Sequence, residues 1–226
     1  MNTNLVEYEF LNSGKQIGEI DVKISHRIIE LFSEGLYSSP NKAVEELVSN
    51  AFDADAQNVN VILSLDLKSE TGYIIVVDDG EGMDGDGLRQ HWVIGKSLRR
   101  ERSRSKLGRK PIGKFGIGKL ATYVLARNLT HICKFQGEFF AATMDYTRMN
   151  ELTKDQGIFA EESIDIPLRS LTEIEAQDSL EEFVSGSGMG FSALNLFGKG
   201  AKDSWTVAIL TNLTEMGSKI QRGRLG

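Results

Sequence analysis

The sequence of 226 residues has one cysteine, Cys133, so no disulfide can form within the chain. That suits a reducing compartment. In the segment Thr130-His131-Ile132-Cys133-Lys134-Phe135 the thiol reads as a small strand residue rather than a nucleophile. No apolar run approaches the roughly 20 residues of a membrane-crossing helix. The opening, MNTNLVEYEF, lacks the basic stretch followed by an apolar one that marks a secretory leader. Internal repeats and low-complexity tracts are absent as well. These absences lead to the expectation of a cytoplasmic protein with no membrane partner. What is present is ordinary globular material, 40% hydrophobic and 26% charged. Its length is enough for one large domain with a real core, expected over 1–226.

The net charge of −6 argues against wholesale nucleic-acid binding, but the charge is unevenly placed. Lys96 to Lys119 holds ten Lys or Arg residues against one acid, Glu101, whereas Glu151 to Glu182 holds ten acids and two bases. The basic stretch can neutralise phosphates, of a nucleotide or of a polynucleotide, or it can simply be a solvated loop.

Apolar spacing predicts a helix from Ser25 to Leu36 and a second one opened by Ser39 and Pro40, with Ala43, Val44, Leu47, Val48 and Ala51 as its buried stripe. Asn58 to Leu67 alternates like a half-buried strand with Val59, Val61, Leu63 and Leu65 on one side. The unbroken, β-branched run Tyr73 to Val77 reads as a strand buried on both faces. Beyond a short helical stretch around Leu88 and Trp92, a glycine-rich run is expected to open a helix reaching about Arg127. Thr130 to Gln136 and Glu138 to Met144 form a predicted hairpin turning at Gln136-Gly137. Glu173 to Val184 is a predicted helix, Met189 to Phe197 a predicted last strand, and another helix is expected to start near Ser204.

Three motifs carry chemistry. Glu46, Asn50 and Asp53 fall within roughly 60° of one another on a helix, opposite its apolar stripe, and can converge on one object. A carboxylate one turn from a carboxamide offers a general base beside an oxygen ligand for Mg²⁺; the bland alternative is a solvent-facing polar stripe. Asp78-Asp79-Gly80-Glu81-Gly82-Met83 follows the buried strand. A carboxylate there stands on a rigid support, and the glycines let the backbone approach a flat ligand. Asp78 can accept from an exocyclic amine such as adenine's, although Asp and Gly after a strand also make plain turns. The nearby Asp84 and Asp86 do not complete a calcium loop, for the required Gly and terminal Glu are missing.

The third motif is Gly113-Lys114-Phe115-Gly116-Ile117-Gly118-Lys119-Leu120-Ala121. Glycines before a helix expose N–H groups at its positive end, and two lysines add charge, which together suit a phosphate. The run nearly matches a P-loop, but Leu120 replaces the required Ser or Thr. It also nearly matches a dinucleotide fingerprint. Both need a hydrophobic strand immediately before the glycines, and the residues there, Arg104 to Lys110, are basic and polar.

Together and in this order, EELVSNAFDADA, VVDDGEGMD and GKFGIGKLA resemble the N box and the two glycine boxes of the gyrase, heat-shock chaperone, histidine kinase and MutL (GHKL) superfamily, nearest in wording to its chaperone, MutL and MORC-like branches. The resemblance implies an α/β two-layer sandwich, a mixed, mostly antiparallel sheet with helices on one face, and it implies ATP and Mg²⁺ as ligands. It assigns Glu46 as the water-activating base and Asn50 as the Mg²⁺ ligand. Asp78 becomes the adenine-reading carboxylate, and Gly80, Gly82 and Met83 lie beside the base. Gly113, Lys114, Phe115, Gly116, Ile117, Gly118 and Lys119 form the phosphate loop, with Asp53 near the nucleotide. Residues 85–112 become the lid. One departure stands out: where the family's late strand begins Gly-Thr, the spacing here puts Met189.

The expected activity is slow ATP hydrolysis coupled to lid closure and to dimerisation or movement of a downstream domain, the chain being the N-terminal part of a longer protein that acts on a client. Three alternatives stay open: a histidine kinase catalytic domain, a non-hydrolysing ATP sensor, and nucleic-acid binding through Arg99 to Lys110. The kinase reading sits poorly with Glu46, and His26 lacks the helical hairpin that would make it a phosphoacceptor.

Overall fold

A computed structural model describes residues 6, 8–25, 39–92, 106–112, 118–147, 161–187 and 194–221. Seven strands form one sheet: β1 (Lys15–Ser25), β2 (Val59–Leu63), β3 (Ile74–Asp78), β4 (Ala126–Phe135), β5 (Glu138–Asp145), β6 (Glu161–Leu171) and β7 (Trp205–Leu213). Their order is β1-β6-β5-β4-β7-β3-β2, and every described pairing is antiparallel. Helices α1 (Pro40–Asp53) and α2 (Gly85–Trp92) pack on one face, so the chain is the two-layer α/β sandwich its motifs imply. Where the resemblance implies helices on one face only, helix α3 (Glu173–Ser187) and a 3-10 turn at Glu9–Asn12 also pack on the reverse face, around Ile75, Val77, Ile132, Val207 and Ile209. Among the described residues no helix is long and apolar enough to cross a membrane.

Helix α1 begins as its sequence suggests, with Ser39 at the N-cap and Pro40 in the first turn, although the Ser39 hydroxyl makes no capping bond. Ala43, Val44, Leu47 and Ala51 are buried. Each larger apolar side chain on that stripe contributes about 1.5–3 kcal/mol by leaving water. Strand β3 is buried along its whole length, flanked by β2 and β7. The β4–β5 hairpin turns through Gln136 and Gly137, both left-handed at φ 51° and 84°, the backbone of a two-residue type I′ turn.

Four expectations are corrected. The glycine-rich run does not lead into a helix to Arg127: Gly118–Val124 is 3-10, and the chain enters β4 at Ala126. Thr122, Tyr123 and Val124 are poor helix formers, and Leu125 N–H bonds the Thr122 carbonyl three residues back, closing the segment before the sheet. No helix starts near Ser204. Trp205–Leu213 is β7, paired on both sides by β3 and β4, so sheet context decides what local pattern does not. Of the strand expected over Met189–Phe197, residues 189–193 lie outside the described residues, and Leu194 to Phe197 form helical and turn structure. Leu65 lies beyond the end of β2 and is 76% exposed. The helix expected over Ser25–Leu36 lies outside the described residues, save for Ser25, which ends β1.

Candidate functional site

Strand β3 ends at Asp78, 8% exposed, on the face that α1 covers. Its Oδ1 accepts the Gly80 N–H at 2.9 Å, which ties the turn to its own carboxylate. Gly80 cannot carry a side chain: a Cβ would lie 2.7 Å from the Ala54 carbonyl oxygen, at the end of α1. Gly82 has φ +65°, and a Cβ there would overlap the Lys134 carbonyl oxygen of β4. The two glycines thus allow the turn to lie between α1 and the sheet. Glu81 N–H donates to Ala54 O at 2.8 Å, and Ser204 Oγ donates to Gly80 O at 2.8 Å.

Asp79, adjacent to the residue singled out by sequence, anchors this turn. Its carboxylate accepts from Gln57 N–H at 2.7 Å, from Asn58 N–H and Nδ2 at 2.8 Å each, and from Lys202 Nζ. Partial burial works to raise its pKa, but the Asn58, Lys202 and Gln57 donors outweigh that and hold it well below the usual carboxylate range.

The register brings together residues that the sequence did not connect. Thr206 of β7 lies opposite Asp78, and Cys133 of β4 lies opposite Thr206, so carboxylate, hydroxyl and thiol form one row across three adjacent strands. All three are buried. Burial pushes the Cys133 thiol far above its usual range and the nearby Asp78 charge adds to the rise, while hydrogen bonds from Thr206 and the Met83 backbone partly offset it. The thiol is therefore a packed strand residue. The strand beside Asp78 is β7, and it supplies a threonine at its second residue; Met189 lies outside the described residues. The β-branched run after Trp205 was the available signal.

On α1, Glu46, Asn50 and Asp53 are all partly buried, so the polar stripe faces neither bulk water nor the core. Burial pushes Glu46 above the ordinary carboxylate range, Glu45 adds to the rise, and Lys42 partly lowers it. Asp53 Oδ1 accepts the Ile112 N–H at 2.8 Å. The 3-10 segment that opens at Gly118 packs directly against α1. Helix α1, the first glycine turn and the end of the second glycine run are thereby brought together on one face of the sheet. Gly113, Lys114, Phe115, Gly116 and Ile117 lie outside the described residues; Gly118 and Lys119 begin the 3-10 segment. Of the lid, 85–92 is helix α2 and 93–105 lies outside the described residues.

The oxygen donors on α1 suit a hard divalent ion, and the buried Asp78–Thr206 pair suits the polar edge of a purine. A face with both can receive a nucleotide and its metal ion. The family model for "Histidine kinase-, DNA gyrase B-, and HSP90-like ATPase" matches residues 37–194, and the chain belongs to that family of ATP-binding domains. It is similar to a putative type II restriction enzyme, HgiDII, of Herpetosiphon aurantiacus, 32% identical over 107 residues, covering 47% of this chain and 16% of that protein. It is similar also to the chaperone protein HtpG of Bacillus velezensis, 29% identical over 126 residues (47% and 20%), and of Rickettsia rickettsii, 28% identical over 132 residues (50% and 21%). The matched regions cover about a fifth or less of these relatives' length.

Proposed function

We propose that the domain binds ATP with Mg²⁺ and hydrolyses it slowly. The observation that carries this reading is the convergence of α1, the Asp78–Gly82 turn and the segment beginning at Gly118 on one face of the sheet. Asp78 accepts from the adenine amine, with Thr206 as the neighbouring hydroxyl and Gly80, Gly82 and Met83 flanking the base. Asn50 would hold Mg²⁺, which when bound neutralises phosphate charge. Glu46 orients a water toward the γ-phosphate and takes its proton, a task helped by the raised affinity for protons that its partly buried site confers. Lys114 and Lys119, with the N–H groups of the glycine run, stabilise the charge that develops on the phosphoryl oxygens, since positioning and electrostatics dominate this chemistry. Lid closure over the nucleotide, dimerisation or movement of a following domain, and action on a client protein in the cytoplasm complete the proposed cycle.

Calorimetric titration with Mg²⁺ and a non-hydrolysable ATP analogue tests the reading. Wild type should bind the adenine nucleotide and not its guanine counterpart, and Asp78→Asn should weaken binding at least tenfold. A folded wild-type chain giving no heat with adenine nucleotides would refute it. A phosphate-release assay separates turnover from mere sensing.

A further inference from the structure

The residues just before the second glycine run sit on the surface, with Leu107 53% and Ile112 50% exposed, so apolar burial does not hold them. Polar contacts to the C-terminal end of α1 do. Arg109 Nη1 donates to Ala56 O at 2.7 Å and to Phe52 O at 3.3 Å, and its guanidinium carbon lies over the Phe52 ring, 4.6 Å from the centroid. Carbonyls at and just past a helix end lie at its negative pole, so a cation suits them. On either side of Arg109, Leu107 N–H donates to Asp55 Oδ2 at 3.1 Å and Ile112 N–H to Asp53 Oδ1 at 2.8 Å. Lys106 pairs with Glu81 of the first glycine turn at 3.0 Å.

We propose that Arg109 is a positioning residue for the triphosphate. By gripping the end of α1 it fixes Ile112, the residue before the phosphate-binding glycine run, relative to the helix that carries Glu46 and Asn50. On this view Asp53 acts through the Ile112 N–H, and the base-side turn, the helix and the start of the phosphate run form one preset frame. Lysine at position 109 keeps the charge and can donate to the same two carbonyls, but it has no guanidinium group to place over Phe52.

The inference rests on the ATP reading, and its test separates the two. Wild type, Arg109→Ala and Arg109→Lys are titrated with Mg²⁺ and a non-hydrolysable ATP analogue, and separately with AMP at millimolar concentration, alongside thermal melting. Arg109→Ala should lose about tenfold in affinity for the ATP analogue, with AMP binding within twofold of wild type; Arg109→Lys should fall between. Unchanged affinity for the ATP analogue in Arg109→Ala, or an equal loss for ATP analogue and AMP, would overturn the positioning role and leave the ATP reading standing. Failure of wild type to bind either nucleotide would remove both.

Discussion

Two carboxylates on neighbouring elements meet opposite environments. Asp79, in the turn after β3, is surrounded by four donors that favour its charge, whereas Glu46, on the polar stripe of α1, is partly desolvated beside Glu45 and has its charge disfavoured. The first region uses an ionised group to hold the backbone still. The second keeps a carboxylate in a state with free energy to release on taking a proton, as a general base requires. In the proposed mechanism the base-reading end is therefore the part held still by its donors, and the phosphate end holds the reactive group.

The sharpest way to break that contrast is at Gly82. Alanine there would face both a left-handed backbone and the Lys134 carbonyl, so β4 and the turn must separate. The expected cost is about 3 kcal/mol or more, a fall in Tm of roughly 6–12 °C for a domain of this size. A Gly82→Ala variant melting within a degree of wild type would show that the turn is not fixed by close approach.

Next in size is Asp79→Ala, which strands the Gln57 and Asn58 N–H donors and frees Lys202, with an expected loss of about 2 kcal/mol at neutral pH. The sign with pH follows from linkage. The folded-state pKa of Asp79 lies below that of the unfolded chain, so its stabilisation is complete above the ordinary carboxylate range, near pH 4, and is lost as pH falls further through the folded value. Urea unfolding at pH 7 and at steps below pH 4.5 should show wild type and Asp79→Ala converging in acid. A gap that stays constant would assign the loss to something other than this carboxylate's charge.

How much of this could be read from the chain depends on how local the cause is. Helix α1, strand β3 and the β4–β5 hairpin follow from apolar period, β-branched runs and turn residues within a few positions, and all three stand where the sequence puts them. Strand β6 was hidden because the acidity of its stretch masked the alternation of Ile164, Ile166 and Leu168. Strand β7 is set by two distant partners, and Thr206 meets Asp78 through register alone, which no local pattern encodes. The same holds for Arg109. Its charge was visible in the basic run, but its partners are backbone carbonyls, and those have no signature in a sequence. In the doublet Asp78-Asp79 the sequence marks two carboxylates; only the donor set around each separates Asp79, held by Gln57, Asn58 and Lys202, from Asp78, the residue proposed to read the base.

The smallest expected effect on stability is at Glu46, and it has the opposite sign. Because burial and Glu45 raise its pKa in the folded chain, the folded state binds the proton more tightly than the unfolded one. Stability attributable to Glu46 is therefore greatest in acid and declines as pH rises through its folded value. Glutamine removes the charge and keeps the shape, so Glu46→Gln should melt slightly higher than wild type at pH 7 and match it near pH 4. The same variant should still bind the ATP analogue, yet release phosphate at no more than the background rate, since it has no carboxylate to take the water's proton. If Glu46→Gln melts lower than wild type at pH 7, the carboxylate is being stabilised in place and the contrast with Asp79 disappears. If it hydrolyses ATP undiminished, the raised proton affinity of Glu46 serves no base, and the residue drops out of the proposed mechanism.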